Sequence, residues 1–100
     1  MSIPPREADD DDALRLALVE IELMRRTIGA LRRAPIRPGC ADARRVRELS
    51  RIDLERISDE DRAMLRLLAW RWRRALPPGL APNLPPHDPI VREMEAASGQ

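Results

Sequence analysis

The fold is decided by residues 12–33, DALRLALVEIELMRRTIGALRR, which predict one long helix that ends before Pro35 and Pro38. Apolar residues recur in this helix at alternating steps of three and four, the spacing of the a and d positions of a heptad repeat. A seam of this kind packs against another helix. We therefore predict that the seam is an interface between copies of the chain, formed by Leu14, Ile21, Met24, Ile28 and Leu31.

A second apolar stripe runs along another face of the same helix and is formed by Leu16, Val19 and Leu23. Leu18 lies between the two stripes, so the first half of the helix is apolar around most of its circumference. A helix of this type is covered on several sides. Since the helices that follow are too short to cover both stripes, the excess of apolar surface predicts a homo-oligomer.

Two shorter helices complete the predicted bundle, at residues 42–51 and 59–76. The earlier one directs Val46 and Leu49 inward. The later one begins after Ser58, whose hydroxyl is a favoured N-cap, and its acidic first turn complements the helix dipole. Its core stripe consists of Leu65, Leu68, Ala69, Trp72 and Leu76. The sequence therefore predicts an all-α fold, a small bundle of three helices.

The chain before this helical domain, which spans residues 12–76, is polar. Residues 1–11 predict a flexible acidic leader that contains most of an aspartate run at positions 9–12. Aspartate is a favoured N-cap and its charge complements a helix N-terminus. We therefore expect this run to cap the first helix rather than to bind a metal ion.

The chain after the helical domain is a proline-rich tail, residues 77–100, with six prolines between positions 77 and 89. A segment of this composition is extended and resembles polyproline II. Asp88 and Pro89 favour the start of a short last helix, predicted at about residues 89–97. Leu80 and Leu84 are expected to lie along the bundle.

Charge is distributed in blocks, and all eighteen basic residues are arginine. Residues 25–51 hold nine arginines and two acidic residues, and residues 62–76 hold five arginines and no acidic residue. A GC-rich genome and solvated helix faces explain such blocks without any function. The planar guanidinium also suits the recognition of carboxylates and phosphates, so the blocks are candidate partner-binding surfaces.

The candidate partner-binding residues lie on the second helix and at the end of the third. They are Arg44, Arg45, Arg47, Trp70, Arg71, Arg73 and Arg74. Trp70 and Trp72 point about 200° apart on a helix, so both cannot face one core. We predict that Trp72 is buried, and that Trp70 is either covered by the proline-rich tail or presented to a partner. The ordinary alternative pairs these arginines with Glu48, Glu55 and residues 59–61.

Signals for catalysis are nearly absent. The single histidine, His87, is far in sequence from the single cysteine, Cys40, and the four glycines form no phosphate-binding loop. We therefore predict no enzyme, no cofactor and no metal. The sequence contains no apolar run long enough to predict a membrane span. A single cysteine fits a reducing compartment, so we expect a cytoplasmic location.

These observations favour a small non-enzymatic interaction protein. We expect a bacterial or phage regulator or inhibitor that binds a larger macromolecular assembly through arginine-rich faces. A protein assembly is the favoured partner. The alternative is a nucleic-acid-binding or DNA-packaging oligomeric accessory protein, in which the same arginines contact phosphates. The dependence of binding on salt separates the two, because contacts to phosphates weaken steeply as the ionic strength rises.

Overall fold

The computed structural model describes residues 5–87 and 89–98, and the side chains of residues 12–87 and 89–93. The described residues form helices and no strand, which confirms the predicted all-α bundle. Within these residues, four α-helices and two single 3₁₀ turns follow one another. They are α1 (Pro5–Arg33), α2 (Ala41–Leu49), a turn at Leu54–Arg56, α3 (Asp59–Arg71), a turn at Arg73–Ala75, and α4 (Pro89–Ser98).

Helix α1 begins at Pro5, seven residues before the predicted start. The helix therefore begins inside the segment predicted as a leader, while residues 1–4 lie outside the described part. Proline is favoured in the first turn of a helix because its missing N–H has no partner there. The aspartates at 9–12 consequently lie inside the helix and do not cap it, although they remain near its positive end.

Helix α3 begins as predicted and ends earlier than predicted. The Ser58 hydroxyl accepts a hydrogen bond from the Asp61 backbone N–H at 3.1 Å, which confirms the N-cap. The α-helix ends at Arg71, because Trp72 has left helical geometry with φ −103° and ψ 20°, and one 3₁₀ turn continues to Ala75. Helix α2 ends at Leu49, two residues early.

The three main helices meet at one end of the molecule. Helix α3 begins beside α1, where Arg62 lies 3.1 Å from Glu20, and it ends beside the first turn of α2, where Arg71 lies 3.1 Å from Asp42. Helix α2 runs antiparallel to α1, since Leu31 and Val46 line one cavity and Ile21 and Leu49 line another. The last turn of α1, the first turn of α2 and the last turn of α3 therefore lie at the same pole.

The core is built where these helices face one another. It contains most of the predicted apolar stripes, and Leu67 and Leu68 are completely buried. Trp72 packs against the core but is only half-buried, so its predicted burial is partial. The main cluster consists of Met24, Ile28, Ala30, Leu31, Val46, Leu49, Leu65, Leu68, Ala69 and Leu76.

The tail returns along the bundle, as predicted, but only in part. Leu80 is half-buried and packs against the main core, whereas Leu84 borders a cavity beside α1 and α3 but is 72% exposed. Helix α4 then places Val91, 1% exposed, against Ala63 and Leu67 on another face of α3. The chain itself therefore covers two faces of α3, one that carries Leu65 and Leu68 and one that carries Ala63 and Leu67.

The first half of α1 projects from this body. The molecule is 60 Å long but only 26–27 Å across. Every residue of the segment 12–20, named here the α1 arm, is exposed. Together with Leu23, the arm carries most of the exposed large apolar side chains of the described part. Their exposed fractions are Leu14 60%, Leu16 69%, Leu18 56%, Val19 55% and Leu23 45%.

The predicted interface between copies therefore needs correction. Met24, Ile28 and Leu31 are at most 7% exposed, because α2 and α3 of the same chain cover them. Ile21 packs partly against that core. Of the five predicted interface residues only Leu14 is well exposed, and the apolar surface that remains uncovered lies on the α1 arm.

Candidate interaction sites

A single carboxylate, that of Asp42, ties the start of α2 to the end of α3. Its side chain is only 17% exposed. It accepts a hydrogen bond from an Arg71 guanidinium nitrogen at 3.1 Å and another from the Trp72 indole N–H at 3.0 Å. Arg45 lies 3.7 Å from the same carboxylate. The network fixes how two of the three helices meet at the pole.

Two of the predicted partner-binding arginines belong to this network. The side chains of Arg45 and Arg71 are 24% and 28% exposed and face Asp42. Arg71 therefore links α3 to α2, whereas Arg45 faces a carboxylate of its own helix three residues earlier. Both arginines pair with Asp42, which was not among the predicted ion-pair partners Glu48, Glu55 and residues 59–61.

Trp70 is covered on one face by its own neighbour. The Arg73 guanidinium carbon lies 3.8 Å from the centre of the Trp70 ring, and Arg73 also donates a hydrogen bond to the Trp70 carbonyl oxygen at 2.8 Å. A cation–π contact of this kind contributes about 0.5–1 kcal/mol where water has access. Neither predicted alternative for Trp70 named this arginine, whose charge is held against the ring.

The other three predicted arginines, Arg44, Arg47 and Arg74, are exposed. Arg32 lies in the last turn of α1 at the same pole, and Arg37 lies in the loop that joins α1 to α2. A positive charge is favourable at the C-terminal ends of α1 and α3, where the helix dipole is negative. We name the whole set the basic pole: Arg32, Arg37, Arg44, Arg45, Arg47, Arg71, Arg73 and Arg74.

An apolar hollow of about 410 Å³ opens within the basic pole, between the end of α1 and α2. Ile36, Pro38 and Val46 contribute apolar walls, and Arg32 and Arg47 line it as well. The hollow therefore combines a surface for an apolar side chain with cations beside it.

A longer groove runs along α1 between α3 and the tail, and we name it the tail groove. It consists of a part of about 470 Å³ near Glu20 and a part of about 410 Å³ near Arg33, which share Leu23 and Leu80. Its surface is largely apolar and includes the exposed Leu84. Four arginines also line it, namely Arg26, Arg33, Arg62 and Arg66.

Other kinds of site find little support in the described part of the chain. No three of its histidine, cysteine, aspartate and glutamate side chains are grouped as metal ligands would be. None of its helices has the length and apolar character needed to cross a bilayer. Comparison with protein families, with characterised proteins and with solved structures finds no match to this chain.

Proposed function

We propose that this protein is a non-enzymatic interaction protein, a small regulator or inhibitor that binds a larger macromolecular assembly through its basic pole. The supporting observation is that eight arginines lie on α2, in the loop before it and at the ends of α1 and α3, where Asp42 pairs with two of them. Complementary charge at an interface speeds association and selects the partner. The proposed partner surface is acidic.

The hollow at the basic pole favours a protein partner over a nucleic acid. A phosphate backbone offers charge but no apolar side chain to occupy a hollow lined by Ile36, Pro38 and Val46. A protein segment that carries an apolar side chain beside carboxylates matches both the hollow and the flanking Arg32 and Arg47. Buried apolar anchors surrounded by polar contacts are the usual source of affinity at protein interfaces.

The proposal is tested by affinity capture from the native host with a tagged chain, with and without nuclease. The pole variant Arg44→Glu/Arg47→Glu/Arg74→Glu replaces exposed arginines only. Its control, Arg51→Glu/Arg56→Glu/Arg92→Glu, makes the same change of charge at exposed arginines outside the pole. We expect the unaltered chain and the control to retain one nuclease-resistant protein partner, and the pole variant to lose it.

Two other results contradict the proposal. Capture that disappears with nuclease, and weakens with salt by a log–log slope of about −0.9 per phosphate contacted, indicates the nucleic-acid alternative. Equal capture by the pole variant and its control means that the basic pole is not the interface.

A further inference from the structure

We infer that a second copy of this chain covers the α1 arm: two copies pack α1 antiparallel, and the arm of each enters the tail groove of the other. The inference is independent of the proposed function, because the exposed Arg44, Arg47 and Arg74 of the basic pole lie outside the tail groove. Three observations carry it, namely the uncovered apolar stripe, the lining of the groove and the charge pattern of α1.

The uncovered stripe continues a surface that this chain already covers elsewhere. Leu16, Val19 and Leu23 follow the heptad spacing, and Ala30 lies seven residues after Leu23 on the same helix face. Ala30 is 8% exposed and borders the same groove as residues 77–80 of the tail. Further towards the N-terminus the stripe is 45–69% exposed. One face of α1 is thus covered at its end and uncovered at its arm.

The tail groove fits the chemistry of that arm. Leu23 and Leu84 lie in the groove and are both exposed, so an apolar helix would bury surface on each side. Four arginines and one carboxylate, that of Glu20, line the groove, whereas the sequence places five acidic residues at positions 7–12, at the start of the arm and just before it. The apolar stripe and the acidic tip of one copy therefore match the apolar lining and the cations of the other.

Charge also selects the direction of packing. Helix α1 is acidic at residues 7–12 and basic at residues 25–33. Parallel packing would superpose the acidic segments of both copies, and like charges in contact are unfavourable. Antiparallel packing centred between Leu16 and Leu23 brings positions 7–12 of one copy beside residues 27–32 of the other, a segment that ends in Arg32 and is flanked by Arg26 and Arg33. The pair closes on itself through a two-fold axis, since both copies use the same surface.

The oligomeric state of the full chain, measured by sedimentation over a wide concentration range, tests the pairing. We expect a dimer. The variant Leu16→Asp/Val19→Asp should raise its dissociation constant at least about a hundredfold, because two charges enter the apolar contact. The control Leu18→Asp makes the same kind of change at an exposed leucine of the arm outside the stripe and should leave the dimer intact. Helicity, read by circular dichroism, should be the same in all three.

Three sedimentation results overturn the inference. The first is a monomeric unaltered chain at high micromolar concentration. The second is equal dissociation by Leu18→Asp, which would place the contact on another face of the arm. The third is an assembly that keeps growing with concentration, which would indicate head-to-tail association.

Groove and direction are tested separately. Arg66→Glu, in the groove, should weaken the dimer about tenfold, whereas the exposed Arg56→Glu outside it should not. In a Cys40→Ser background, Leu16→Cys chains should form a disulfide with tagged Leu23→Cys chains faster than with one another. Faster Leu16→Cys self-linking means parallel helices, and an unaffected Arg66→Glu dimer means that the arm lies outside the groove. Either result refutes the inference.

Discussion

Replacing Asp42 by alanine tests how the pole is held together. The carboxylate is 17% exposed, accepts two hydrogen bonds and lies near a third donor, so its removal leaves two helices without their polar link. We expect Asp42→Ala to destabilise the fold far more than an ordinary surface substitution. Asp42→Asn keeps the shape and part of the hydrogen bonding and should fall between alanine and the unaltered chain.

The expected magnitude follows from the contacts. A hydrogen bond to a charged group contributes about 1.5–3 kcal/mol, and Asp42 accepts two from donors that keep some access to water. A loss of about 2–3 kcal/mol is therefore expected. In a domain of this size each kcal/mol lost from the free energy of unfolding lowers the melting temperature by about 4–8 °C. The melting temperature of Asp42→Ala should therefore be roughly 10–20 °C below that of the unaltered chain.

Urea unfolding followed by circular dichroism measures this effect. The matched control is Glu48→Ala, which removes a carboxylate from an exposed position of the same helix and should change the free energy of unfolding by less than about 0.5 kcal/mol. A double-mutant cycle with Arg71→Ala should give a coupling energy of about 1–2 kcal/mol. Equal stability of Asp42→Ala and Glu48→Ala, or zero coupling to Arg71, would refute the reasoning.

Two further substitutions test the helix start and the docked tail. Ser58→Ala removes the hydroxyl that caps α3 and should lower the free energy of unfolding by about 1 kcal/mol. The control Ser58→Thr keeps a hydroxyl and should lower it less. Equal losses for the two variants would mean that the cap contributes nothing. Val91→Ala leaves a gap beside Ala63 and Leu67 and should lower the free energy of unfolding by about 1.5–3 kcal/mol. The control Arg92→Ala, at the exposed neighbouring residue, should leave it unchanged. A Val91→Ala variant as stable as the unaltered chain would show that α4 is not docked in solution.

The sequence was a good guide wherever local chemistry decides the structure. The capping hydroxyl of Ser58 and the heptad spacing of α1 act between near neighbours, so they predicted the start of α3 and a packed face of α1 that includes Met24, Ile28 and Leu31. Spacing alone does not tell which helix covers a seam. The seam was assigned to a second copy, whereas α2 and α3 of the same chain cover its last half.

Long-range contacts were the part that local patterns did not predict. Asp42 is separated by about thirty residues from Arg71 and Trp72, and its position at the start of α2 is equally typical of an ordinary first-turn carboxylate. Local patterns therefore placed Arg45 and Arg71 among the candidate partner-binding residues. The tail shows the same effect. Leu80 and Leu84 both lie in the proline-rich segment, but only Leu80 packs against the core.

The central claim is that the basic pole recognises an acidic protein surface, and one affinity comparison tests it most directly. The captured partner, once purified, is titrated with the unaltered chain, with Arg44→Glu/Arg47→Glu/Arg74→Glu, and with the charge-matched Arg51→Glu/Arg56→Glu/Arg92→Glu. We predict that the pole variant raises the dissociation constant at least about a hundredfold and the matched variant less than about threefold. Equal losses would mean that total charge acts rather than the pole, and would contradict the account.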